Sequence, residues 1–263
     1  MTQNELFMYD ILGRISSTDA PIVFKGGLIT KLILAEKQFT SIDRATVDID
    51  ANWIGTAPSM EQLVQAIKKA LGELNQQYEV QAIRDYGEKR SAGLAICDKN
   101  SGMKILSMDI DIAPSLSWKT YYFGEIGIRG ILVNEILADK IAVVSSDLVY
   151  KYRAKDLIDV YALSSCATID TQEIFDACQA HHRTIQNFDG FINQKAAVEH
   201  AYNKLRRIEN KPSFLILYQH LENFLKPFIV PDNIRKTWIP EKLTWQENTS
   251  RQNIRKRNRG LEI

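Results

Sequence analysis

Apolar positions alternate between strand-like and helix-like spacing over the first 130 residues and keep mostly helical spacing after that. Residues 4–16 read as a helix with Leu6, Ile11 and Ile15 on one side. The run Pro21-Ile22-Val23-Phe24 predicts a strand over 22–25, followed by a helix over 28–37 and an apolar strand over 46–53. Ser59-Met60-Glu61-Gln62, just after Pro58, is a capping box, and Leu63, Ile67, Leu71 and Leu74 mark the stripe of the helix it opens. Strands are expected near 78–84, 91–97 and 103–112, the last two joined by the turn Asp98-Lys99-Asn100-Ser101-Gly102. The N-terminal part is thus α+β, a mixed β-sheet with flanking helices. Helices are then expected over 131–145, 154–164, 172–181, 194–208 and 213–225, with Pro212 in a tolerated first turn and Pro227 ending the last. The expected organisation is an α+β domain over 1–165 and an all-α helical bundle over 166–263.

Composition narrows the classes without choosing one. At 263 residues, 45% hydrophobic and 25% charged, the chain is long enough for two modest domains. The net charge of +1 hides an asymmetry: residues 200–263 carry 13 Lys and Arg against 6 Asp and Glu, leaving 20 basic and 26 acidic residues in 1–199. An acidic half joined to a basic one suits a polyanionic partner. The tail Arg251-Gln252-Asn253-Ile254-Arg255-Lys256-Arg257-Asn258-Arg259 is the sharpest basic run. No run approaches about 18 apolar residues and no signal peptide is legible, so a cytoplasmic protein without membrane spans is expected. Cys97, Cys166 and Cys178 are odd in number and read as reduced, packed thiols, with Cys178, His181 and His182 only a faint zinc pattern.

The chemistry concentrates in two short stretches. In Arg44-Ala45-Thr46-Val47-Asp48-Ile49-Asp50, a strand's period of two sends Asp48 and Asp50 to one face while Val47, Ile49 and Ala51 turn to the core. Paired carboxylates repel each other, and a divalent metal commonly holds such a pair. Upstream, Phe24-Lys25-Gly26-Gly27 ends a strand and starts a helix, where backbone N–H groups can approach phosphate. Taken together, the two stretches read as a nucleotide-and-metal site.

The order Gly-Gly, helix, Arg-x-Thr-x-Asp-x-Asp resembles the nucleotidyltransferase superfamily related to DNA polymerase β, and within it the AbiEii/AbiGii toxin family. Two further blocks carry the resemblance. One is Met103-Lys104-Ile105-Leu106-Ser107-Met108-Asp109-Ile110-Asp111-Ile112. The other is Asn134-Glu135-Ile136-Leu137-Ala138-Asp139-Lys140-Ile141 with Tyr152-Arg153-Ala154-Lys155-Asp156-Leu157-Ile158-Asp159-Val160-Tyr161. The likeness covers roughly residues 20–165. One departure stands out: the family commonly has Ser or Thr after the glycine pair, where this chain has Leu28. Phosphate contact then rests on backbone amides, Lys25 or Lys140.

The resemblance implies a metal-dependent nucleotidyltransferase toxin moving a nucleoside monophosphate from an NTP to an RNA acceptor, the tRNA end especially, or to a protein. A cognate antitoxin is the implied partner. Two Mg²⁺ (or Mn²⁺) ions about 3.5–4 Å apart serve such reactions. Asp48, Asp50 and a third carboxylate would hold them. Strand alternation does not choose between Asp109 and Asp111; the family pattern of an acid, an apolar residue and the strand's end favours Asp111. Lys25, Gly26, Gly27, Arg44, Thr46, Arg153 and Asp156 are the implied nucleotide contacts. Lys140 lies in the apolar frame Ile136, Leu137, Ile141, Val144 and is implied to reach the triphosphate, with Asp156 and Asp159 at i and i+3 available to position Lys140 or Arg153. The competing expectation is a non-catalytic nucleotide- or RNA-binding protein on the same fold.

Overall fold

The computed structural model describes residues 2–86, 91–147, 153–232 and 234–248. The basic tail over 251–259 lies outside them. The chain divides into two compact units, Met1–Ile136 with Arg207–Lys211, and Leu137–Arg206 with Pro212–Ile263.

The first unit is built on a seven-stranded mixed sheet. Its strands are β1 (Ile22–Lys25), β3 (Asp48–Ile54), β4 (Tyr78–Arg84), β5 (Ser91–Asp98), β6 (Lys104–Ala113), β7 (Trp118–Phe123) and β8 (Ile126–Ile131), in the order β4-β5-β6-β3-β1-β8-β7. β3 runs parallel to β6 and β1 parallel to β8, and the other pairs are antiparallel. The helices α1 (Gln3–Ser16), α2 (Gly26–Glu36) and α3 (Met60–Leu71) bury their apolar faces in this unit, with Met8, Ile11, Leu12, Ile29, Leu63 and Ile67 inside. The expected capping box forms at Ser59 with Gln62, and a second one, not read from the sequence, forms at Thr2 with Glu5.

Three details differ from the sequence expectation. Leu6 is largely exposed, and Met8, Tyr9 and Leu12 complete the buried stripe with Ile11 and Ile15. Val47 is exposed because β3 starts one residue later, at Asp48, while Ile49 and Ala51 are fully buried as expected. The β7–β8 hairpin was not foreseen; its turn is made at Gly124, whose φ of 57° suits a residue without a side chain.

The second unit is not all-α. Alongside the helices Ala154–Ser164, Thr171–Ala180, Lys195–Lys204 and Phe214–Ile229 it holds a three-stranded sheet of β9 (Ile169–Asp170), β11 (Lys236–Ile239) and β12 (Thr244–Glu247). Trp238 and Trp245 face each other across β11 and β12 and pack on Phe224, at ring separations of 5.2 and 5.4 Å. Aromatic cross-strand pairing therefore outweighs the helical bias of the surrounding sequence. Pro227 does not end its helix but sits in the last turn. The expected helix 194–208 stops at Lys204. Arg207 and Asn210 adopt φ of 59° and 51°, and between them β10 (Ile208–Glu209) pairs with β2 (Asp43–Arg44). That pairing, absent from any local pattern, returns residues 207–211 to the first unit. The divide near residue 136 in place of 165 has a packing cause: the helix Ala154–Ser164 buries Leu157, Ile158 and Leu163, and it packs in the second unit against Phe214–Ile229.

One buried polar pair gives a pH test. His220 Nε2 lies 2.7 Å from the Ser164 hydroxyl beneath Trp238, and burial pushes its imidazole down from 6.5 to about 4. The unfolded chain thus takes up this proton more readily than the folded one. Stability should fall as the pH drops from about 6.5 to about 4, by about 2–3 kcal/mol in all, then level off. Urea unfolding across this range should show that loss for the parent and a flatter profile for His220→Gln.

Candidate active site

Register brings the acidic residues together. Asp48 and Asp50 alternate with buried Ile49 and Ala51 on β3, so both carboxylates leave the core on one face. β6 lies alongside with Asp109 opposite Asp50 and Asp111 opposite Asn52. Residues directly opposite in a sheet share a face, so four carboxylates sit on this one. Following the row through Asp50 across the sheet gives Arg84, Gly93, Asp109, Asp50 and Lys25 on five successive strands. Two cations thus flank two acids.

Each cation reaches a carboxylate. Arg84 passes over Gly93, which has no side chain to obstruct it, and donates to Asp109 Oδ1 at 2.7 Å and to Ser91 Oγ at 3.0 Å. Lys25 spans β3 and donates to Asp111 Oδ2 at 2.5 Å. Among the described residues no three His, Cys, Asp or Glu side chains converge as a ready set of metal ligands. Asp109 is drawn toward Arg84, and Asp111 toward Lys25.

The glycine pair is explained by close approach. Gly26 has φ of 72°, and a Cβ there would lie 2.1 Å from Asp50 Oδ2. A Cβ on Gly27 would lie 2.4 Å from Thr46 Oγ1 and 3.1 Å from Arg44 Nη2. The first turn of α2, whose N–H groups form the positive end of the helix dipole, is therefore in contact with Asp50, Thr46 and Arg44. Gly26→Ala should cost about 1–2 kcal/mol through left-handed backbone strain. It should cost about 100-fold in turnover by moving Asp50. Denaturant midpoint and single-turnover rate measured on the same variant check both.

The residue after the pair is spoken for. Leu28 is 2% exposed and packs in the core, and the Thr30 hydroxyl donates back to Gly26 O at 2.9 Å within the helix. The Thr46 hydroxyl is buried and has no hydrogen-bond partner among the described residues. Sequence reasoning missed what holds Thr46 in place. Glu5, 2% exposed, accepts from Lys31 at 2.5 Å and from the Thr46 amide at 3.4 Å, and Lys31 also meets Asp43 at 2.6 Å. The Lys31 ammonium, with the bonds from Thr2 and Thr46, holds the Glu5 carboxyl below its ordinary range although burial alone would raise it. The Thr-x-x-Glu spacing at Thr2 and Glu5 is a signal that could have shown the capping box, but that the same carboxylate reaches Thr46 depends on packing between distant elements.

In the second unit, Lys140 donates to Asp156 Oδ1 at 2.9 Å and to Asp159 Oδ2 at 2.6 Å, all three side chains being close to fully buried. Burial alone would push the ammonium down, but the Asp159 and Asp156 charges outweigh it and raise its pKa. Arg153 Nη1 is 3.7 Å from Asp156 Oδ2. Of the two cations that the sequence offered, Lys140 and Arg153, the i, i+3 pair of acids thus grips Lys140.

Comparison with known proteins follows this geometry. JHP933 from Helicobacter pylori has the same fold at a TM-score of 0.53 and 14% identity, over 87% of this chain and 93% of that one. MenT4, a nucleotidyltransferase toxin from Mycobacterium tuberculosis, is 15% identical with a TM-score of 0.45, over 86% and 91%. An antigenic nucleotidyltransferase-like protein from Paracoccidioides brasiliensis is 12% identical with a TM-score of 0.45, over 74% and 92%. No curated protein sequence matches. The family model described as nucleotidyl transferase AbiEii toxin, type IV toxin–antitoxin system, matches residues 10–238, well past the roughly 20–165 legible in the sequence. The chain belongs to the AbiEii family of nucleotidyltransferase toxins.

Proposed function

We propose that this protein transfers a nucleoside monophosphate from an NTP to an RNA acceptor, the tRNA end in particular, using Mg²⁺ or Mn²⁺, in the cytoplasm and under the control of a cognate antitoxin. The observation that carries this reading is the closure of the Gly26-Gly27 turn on Asp50, Thr46 and Arg44, beside a face holding Asp48, Asp109 and Asp111. Those carboxylates are hard oxygen donors of the kind Mg²⁺ and Mn²⁺ prefer, so the donor set fits. Asp48, Asp50 and Asp111 would hold the metal, with Asp109 as the alternative third acid beside Asp50. The bound metal supplies Lewis-acid polarisation and charge neutralisation at the transferred phosphoryl group.

The chain's own groups do the rest. The amides at Gly26 and Gly27 present the positive end of α2 to the triphosphate. Lys25 and Arg44 add fixed charge, and the orphaned Thr46 hydroxyl has a donor to offer. Lys140, held by Asp156 and Asp159 with Arg153 nearby, is the family pattern's further cation for the triphosphate. The basic tail would draw in the acceptor. Deleting 251–263 removes five Arg and Lys, which should flatten the dependence of log K on log salt by up to about 3.5 units for single-stranded RNA.

Incubating the protein with each labelled NTP, Mg²⁺ and total RNA tests the activity. Label should enter RNA from a preferred NTP and vanish in EDTA. Label on protein alone would shift the acceptor. A second reading has one observation in its favour, the buried Leu28 where the family has a hydroxyl: a non-catalytic nucleotide- or RNA-binding protein. Nucleotide binding with no transfer from any NTP would establish that reading instead.

A further inference from the structure

Lys25 is where two requirements meet. It sits at the N-cap of α2, next to the amides proposed to take the triphosphate, and its ammonium is bonded to Asp111 across β3. Asp111 is also a proposed metal ligand. An ammonium at 2.5 Å from Asp111 Oδ2 and a divalent cation on the same carboxylate repel each other and compete for it. The two flanking pairs differ in kind. Arg84 is fixed by contacts to Ser91 as well as Asp109 and lies on the edge strand β4, whereas Lys25 lies on the interior strand β1 and is the N-cap residue of α2. The Lys25 side chain is only 14% exposed, so its ammonium is largely shielded from bulk water where it meets Asp111.

We infer that the Lys25–Asp111 pair is an exchange device that couples the two ligands of this site: a divalent cation arriving at Asp111 displaces the ammonium, and the freed ammonium turns to the triphosphate. The inference rests on the metal and triphosphate reading above and adds to it an order of events. Metal and triphosphate then assist each other beyond simple neutralisation, because each favours the same displaced lysine. Without metal, Asp111 competes with phosphate for Lys25.

That competition has an unusual consequence. Removing a metal ligand should strengthen phosphate binding when no metal is present. Tripolyphosphate serves as the probe, since it carries the phosphate chemistry without a base preference, and EDTA keeps metal out. By calorimetry, Asp111→Asn should bind tripolyphosphate about three- to tenfold tighter than the parent. Asp48→Asn removes the same charge from the same face without touching Lys25 and should gain less. Beyond that general charge effect, the gain should vanish in Lys25→Met/Asp111→Asn compared with Lys25→Met, because neither has an ammonium to release. Conversely, Mn²⁺ titrated without phosphate should bind Lys25→Met about three- to tenfold tighter than the parent, and Lys25→Arg close to the parent. An Asp111→Asn gain no larger than that of Asp48→Asn, or one that survives in the double variant, would overturn the exchange. Mn²⁺ binding that is absent, or unchanged by Asp48→Asn and Asp50→Asn, would instead sink the metal reading beneath it.

Discussion

Asp48→Asn and Asp50→Asn are each expected to lower nucleotidyl transfer by about a thousandfold or more and to abolish toxicity, while leaving the folded protein as stable as its parent or slightly more so. The rate loss would follow from the metal that these carboxylates are proposed to hold. A bound metal contributes several kcal/mol of transition-state charge stabilisation, and each 1.36 kcal/mol is about tenfold in rate. The stability follows from what they sit beside. Asp50 lies directly opposite Asp109 on one face, and both strands continue through buried Ile49, Ala51, Met108 and Ile110 that the change leaves alone. Replacing one carboxylate by an amide of the same shape removes like-charge repulsion without opening a cavity. Single-turnover labelling and thermal unfolding of the same preparations separate the two effects. Toxicity retained by both variants at parental expression would refute the enzyme reading.

The parts of this site that were legible in the sequence are those that local geometry decides. Asp48 and Asp50 share a face because strands have period two, and Gly26 and Gly27 mark a strand-to-helix junction that no other residue fits so closely. The i, i+3 spacing of Asp156 and Asp159 put both acids on one helix face but left Lys140 and Arg153 open as their partner, a choice that packing makes for Lys140. What stayed hidden depends on register between strands far apart in the chain. Arg84 meets Asp109 only because β4, β5 and β6 align with Gly93 between them, and Lys25 meets Asp111 only because β1 and β6 flank β3. Nor could local pattern show that the expected helix stops at Lys204 and that Ile208 and Glu209, flanked by positive φ at Arg207 and Asn210, pair with Arg44 and Asp43. The Trp238 and Trp245 strands were read as part of a helical region because each is only four residues long, too short for a period of two to declare itself.

Lys140→Met is the substitution expected to cost the most stability. Lys140, Asp156 and Asp159 retain 11%, 7% and 5% of their side-chain exposure, so the methionine would leave two carboxylates buried with their shared cation gone. Breaking a buried pair from one side typically costs about 3–5 kcal/mol, because the remaining charge has lost both water and partner. In a chain of this length that lowers the melting temperature by roughly 10 °C. Arg153, at 3.7 Å from Asp156 and about half exposed, is too far and too well solvated to replace the ammonium. The cost lies in the uncompensated acids, so Lys140→Met/Asp156→Asn/Asp159→Asn should recover most of it, an exchange of a buried ionic cluster for neutral groups of similar volume. Urea unfolding of the single and triple variants measures this directly. A single variant with the parental midpoint would mean that water reaches the ammonium after all. A triple variant that is stable yet unable to transfer would assign the Lys140–Asp156–Asp159 cluster to the chemistry as well as to the fold.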